Sequence, residues 1–133
     1  MSQVDASEEY ETSWYPTEGG VTVGQPGPEH GFILRDEEYG DPEDDEDSDA
    51  RLTLEQGRVD NPGFFLTATL YGWMFHTHRA DDETDAEAKY AAMRSELEIL
   101  SERIPHEENR DVAGKARVLV AAIADFEGKY PAR

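Results

Sequence analysis

The chain has 133 residues, no cysteine, and a net charge of −19 from 31 acids against 12 bases. That length predicts a single domain with a real core, and the absence of thiols excludes disulfides, thiolate metal sites and cysteine nucleophiles. The charge repels nucleic acid and anionic membrane, no apolar run approaches the ~20 residues of a membrane span, and the opening Met1-Ser2-Gln3-Val4-Asp5 is unlike a signal peptide, so a cytoplasmic protein is expected.

Residues 1–20 are polar and acidic, with Trp14-Tyr15-Pro16 embedded and Gly19-Gly20 at the end. They read as a flexible N-terminal tail, and residues 21–133 as one α+β domain. Val21-Thr22-Val23 fits a short strand, which Gly24 to Pro28 breaks. Phe32 to Arg35 is a second strand candidate.

Asp36, Glu37, Glu38, Asp41, Glu43, Asp44, Asp45, Glu46, Asp47 and Asp49 follow, ten carboxylates in fourteen residues. Self-repulsion and a lack of apolar residues predict an acidic loop over 36–49. The asymmetry is large: residues 1–60 carry 18 acids and 3 bases, residues 61–133 carry 13 acids and 9 bases. The acid excess, with 9 Arg against 3 Lys, also fits a salt-adapted surface.

Arg51 to Glu55 alternates as a half-buried strand does, and Gln56 to Gly63 holds the turn signals Gly57 and Asn61-Pro62-Gly63. Phe64 to Arg79 is the strongest strand signal, with Gly72 marking a bulge or bend. Phe64, Leu66, Ala68 and Leu70 share one face; Phe65, Thr67, Thr69 and Tyr71 share the other. Beyond Gly72, Trp73, Phe75 and Thr77 oppose Met74, His76 and His78.

Thr84-Asp85-Ala86-Glu87 fits a capping box. Ala86, Tyr90, Met93, Leu97, Leu100 and Ile104 then form one helical stripe, stopped by Pro105. Val112, Ala116, Leu119, Ile123, Phe126 and Tyr130 form a second, ending near Gly128 and Pro131. Each stripe must be buried. The expected fold is an antiparallel β-meander of three to four strands packed on a C-terminal antiparallel αα-hairpin, a two-layer sandwich.

For chemistry, His76-Thr77-His78 is the leading candidate. Strand alternation puts both imidazoles on one side, as two ligands of one metal require, with Asp81 and Asp82 just beyond. A His-x-His pair alone is more often two polar side chains at a strand end. His106-Glu107-Glu108-Asn109-Arg110 lacks the second histidine of a zinc-peptidase helix, and Asp44 to Glu55 has Asp49 where a calcium loop needs glycine. Nucleophile-elbow and phosphate-loop patterns are absent, and no cofactor is implied.

Ten charges over fourteen extended residues give one per ~4.6 Å, sparser than duplex DNA at one per ~1.7 Å. The acidic run therefore suits a basic protein better than it imitates DNA. Asp44, Asp45, Glu46 and Asp47, with Tyr71 and Trp73 from the aromatic strand, are the candidate partner-binding residues. The function expected is a non-enzymatic protein-interaction module. An inhibitor or immunity-type partner of a basic protein is one concrete form, by analogy of size and charge. The alternative is a small metal-binding protein or enzyme centred on His76 and His78. A stripe-bearing helix pair also lends itself to a symmetric homodimer.

Overall fold

The computed structural model describes residues 12–44, 47–106 and 110–132. Five strands form one antiparallel sheet: β1 (Ser13–Pro16), β2 (Phe32–Gly40), β3 (Ser48–Gln56), β4 (Phe64–Leu70) and β5 (Met74–Ala80). Spatial order equals chain order. Two helices follow, α1 (Glu83–Glu102) and α2 (Val112–Lys129). The protein is an α+β two-layer sandwich, with one strand more than the sequence suggests.

The extra strand is β1. Residues 12–20, read as part of a tail, supply the sheet edge and a short turn over Thr17–Gly20, while residues 1–11 lie outside the described residues. The aromatics explain the difference. Trp14 stacks at a tilt on Tyr39 with centroids 5.2 Å apart and donates from Nε1 to Glu98 of α1 at 2.8 Å. Arg94 of α1 lies over its ring. Val21-Thr22-Val23 is a turn, and the chain next regains the sheet at Pro26, bridged to Phe32.

The acidic run is also more ordered than a loop. Asp36–Gly40 is strand and so are Ser48 and Asp49; among the described residues, 41–44 and Asp47 lie between them. Sheet hydrogen bonding and the register with β3 outweigh the run's self-repulsion. Phe64 to Arg79 is not one bent strand but a hairpin, closed by Tyr71-Gly72-Trp73 with Gly72 at φ +85°.

Cross-strand register sorts the side chains. One face carries Tyr39–Ala50–Leu70–Met74, Glu37–Leu52–Ala68–His76 and Arg35–Leu54–Leu66–His78 as successive rows. The helices cover it. Ala86, Tyr90, Met93, Leu97 and Leu100 of α1 are buried against it, with Leu119, Ile123 and Phe126 of α2. Lys129 reaches Glu96 while Val118 lies with Ile104, so the helices run antiparallel. Asp82 caps α1 by accepting from Asp85 N at 2.8 Å. The expected box at Thr84 is displaced because aspartate, two residues earlier, is already a strong cap.

The opposite face buries Ile33 and Phe65 together with the polar Asp36, Thr53, Glu55 and Thr67. Its rows are Ile33–Glu55–Phe65–Arg79, Asp36–Thr53–Thr67–Thr77 and Glu38–Arg51–Thr69–Phe75. The extra residue Leu34 bulges β2 between the first row and the second. Loops seal one end of this face. Glu55 is fully buried and accepts from the backbone N–H of Gly31 at 2.8 Å and of Glu29 at 3.1 Å. A methyl at Gly31 would meet Gln56 O at 2.1 Å, so that loop needs glycine there.

Candidate interaction site

The other end of this face stays open, and the two hairpins turn there side by side. Tyr71 N donates to Asp49 O at 2.9 Å, tying the aromatic turn to the acidic one. Tyr71 Oη donates to Glu38 Oε2 at 2.9 Å. Ser48 Oγ reaches the other Glu38 oxygen at 3.4 Å and also meets the Tyr15 hydroxyl. The acidic turn folds on itself: Asp41 accepts Glu43 N on its carboxylate and Asp44 N on its carbonyl, and Asp44 O accepts Asp47 N.

Six described carboxylates thus gather at one end: Glu38, Asp41, Glu43, Asp44, Asp47 and Asp49. Glu43, Asp44 and Asp47 are exposed. Arg51 sits among them but is committed elsewhere. It grips Asp36 through Nε at 2.9 Å and Nη2 at 2.6 Å, while Thr17 and Thr53 each donate to the same carboxylate at 3.0 Å. Asp36 is buried and that bond holds the Arg51 pKa above its ordinary value. Burial, then Asp47, pushes the Asp49 carboxyl up, with His106 opposing. Burial and the bond to Glu38 push the Tyr71 hydroxyl up to about 12. Carboxylates thus outnumber bases at this end, and ionising a further group beside them is disfavoured.

The structure treats the candidate partner residues unequally. Asp44 and Asp47 lie in the turn at the same end of the sheet as Tyr71; Asp45 and Glu46 lie outside the described residues. Trp73 is half-buried against the core rather than presented. Phe75, 68% exposed and in the row of Glu38 and Arg51, adds an aromatic that was not among the candidates. Strand alternation on the open face was the signal for it.

The histidine pair faces the helices. His76 Nε2 donates to Tyr130 O at 2.5 Å and His78 Nδ1 donates to Pro131 O at 2.8 Å, since a carbonyl only accepts. Their rings stand edge-on to Phe126 and Tyr130. His76 Nδ1 lies 3.9 Å from Glu127, and His78 Nε2 is buried with no hydrogen-bond partner among the described residues. Asp81 pairs with Arg79 at the surface and Asp82 caps α1. Among the described residues, no three such side chains converge to hold a metal. The two rings act as clamps on residues 130–132, where Ala132 bridges to β5 beside His78.

A separate cleft of about 650 Å³ opens at the sealed end, lined by His30, Phe32, Arg58 and Val59 among others. No helix is long and apolar enough to cross a membrane among the described residues. No protein-family model, curated protein or solved structure matches the chain.

Proposed function

We propose that this protein is a non-enzymatic interaction module that receives a basic protein on the open end of its sheet. An inhibitor or immunity-type partner is the concrete form. The observation that carries the reading is the convergence of the acidic turn and the aromatic turn through Tyr71, which bonds both Asp49 O and Glu38. Carboxylates there would steer a basic partner, raising association rate. Tyr71 and Phe75 supply the apolar area that a docked contact needs, since buried aromatics hold most binding energy. Of the two arginines on that face, Arg51 is paired with Asp36 and Arg79 lies at the sealed end with Asp81, so neither opposes the approach.

An arginine-rich peptide serves as probe, followed by backbone amide shifts. Shifts confined to residues 38–49, 71 and 75, lost in Asp44→Asn/Asp45→Asn/Glu46→Gln/Asp47→Asn, support the reading. Shifts spread evenly over the acids of α1 as well would defeat it. So would a metal that purifies with the protein and is lost in His76→Ala/His78→Ala.

A further inference from the structure

The buried stripe of α2 leaves its outer face unexplained. At ~100° per residue, Leu119, Ile123 and Phe126 point inward. The outward arc runs from Val120 to Val118 through Ala113, Ala124, Arg117, Gly128, Ala121 and Asp125. These residues are exposed, Val118 by 57% and Val120 by 55%. Ile99 of α1, 50% exposed, borders the arc near Ala122 and Asp125. A solvated helix face normally carries charge along its length. Arg117 and Asp125 are the charges on this one, and neither forms an ion pair among the described residues.

The face also stands apart from the molecule's charge. From Arg110 onward the chain has five bases and three acids, leaving 7 bases and 28 acids for everything before it. Two copies repel each other over most of their surfaces. Across α2 they do not.

We propose that α2 pairs with α2 of a second copy, antiparallel about a two-fold axis at Ala121. The placement of the charges selects this geometry. Arg117 and Asp125 each lie four residues from Ala121, on opposite sides. An antiparallel two-fold centred there sets Arg117 of each copy against Asp125 of the other, twice per dimer. On one helix the two charges are ~12 Å apart along the axis, too far to satisfy each other. Ala121 and Gly128, seven apart, fall near one line and let the axes approach there, while Gly114 on the same line is covered by the capping Asp111 carboxylate. Such an interface is self-complementary, as a two-fold requires. One pair of 18-residue helices is a small contact, so a dissociation constant between about 1 μM and 1 mM is expected. The proposal is independent of the acidic end, which this pairing leaves uncovered.

Sedimentation equilibrium of the full chain tests it, with circular dichroism confirming that each surface variant stays folded. The wild type should show a reversible monomer–dimer equilibrium from the 15.0 kDa monomer. It should tighten as sodium chloride rises from ~0.1 to ~1 M, because screening relieves the repulsion between copies. Arg117→Asp and Asp125→Arg should each weaken the dimer by about tenfold or more, since each faces like charges across the axis. The double swap Arg117→Asp/Asp125→Arg should restore it. The single changes move net charge in opposite directions, so equal weakening reports the local pairing and not the total. A chain monomeric at ~1 mM in both salts overturns the proposal, 1 mM being the weakest affinity expected. A dimer indifferent to the single changes overturns the face, and a double swap without recovery overturns the antiparallel two-fold.

Discussion

Asp36 shows how one residue can read as solvated and be buried. In the sequence it opens a run of ten acids, and nothing there distinguishes it from Asp44. In the fold it alternates inward and takes four hydrogen bonds from Arg51, Thr17 and Thr53. Glu55 is the same case, its partners being backbone N–H groups of a distant loop. Neither partner set is local, so periodicity could not announce it. Arg51→Met should therefore cost about 3 kcal/mol in urea unfolding, near the low end for breaking a buried pair because Arg51 is a third exposed. Adding Asp36→Asn should recover part of that loss, since no charge then stays buried unpaired.

Tyrosine titration gives the second expectation at this scale. Tyr71 is pushed up to about 12, and Tyr90 and Tyr130 are raised further by burial and by bonds to Glu37 and Glu96. A raised folded pKa means stability that is complete below the unfolded value of ~10 and lost above it. Unfolding should thus set in between pH ~10 and ~12, with phenolate absorbance and loss of helical circular dichroism rising together. Tyrosines that ionise freely at pH 10 in the folded chain would contradict this.

Among the elements, the two helices were legible because a 3.6-residue stripe is a local pattern. Leu97, Leu100, Leu119, Ile123 and Phe126 are all buried as their spacing requires. The strands were legible in alternation but not in length. Gly72 permits a bend or a hairpin equally, and only β5 lying back along β4 decides between them. β1 was missed because four residues are too few to show alternation. The outer arc of α2 was missed for a different reason: one strong inward stripe draws attention from the weaker one behind it. Leu119 carries no exposed surface, so Leu119→Ala should cost ~2–5 kcal/mol in denaturant unfolding. A loss under ~0.5 kcal/mol would mean that α2 is not anchored where it lies.

At the scale of the whole molecule, the alternation and helical stripes led to the α+β class that the fold has, yet the charge total hid how the charge is arranged. The described acids of 36–49 divide between the buried Asp36–Arg51 pair, positions within β2 and β3, and the hairpin tip, whereas α2 is close to neutral. Repulsion among 31 acids and 12 bases should still dominate the salt response. In dilute protein, where self-association contributes nothing, Tm should rise as sodium chloride goes from ~0.1 to ~1 M and the screening length falls from ~10 to ~3 Å. A flat or falling Tm would show that Arg51, Arg94 and the other paired bases already offset the repulsion.

The sheet's order, β1-β2-β3-β4-β5, has a consequence for birth on the ribosome. Each strand leaves the tunnel beside one already made, so pairing can advance vectorially. The lid comes afterwards. Once Ala80 completes the sheet, Leu52, Leu54, Leu66 and Ala68 have nothing over them until α1 is synthesised through Glu102. At ~5–20 residues per second those 22 residues take about 1–4 s. Throughout that interval the nascent chain is a half-built layer with a bare apolar side. The carboxylates of residues 36–49 are translated before every one of those four residues. Their like charge is present on the unfinished sheet and opposes close approach of neighbouring copies until the cover arrives.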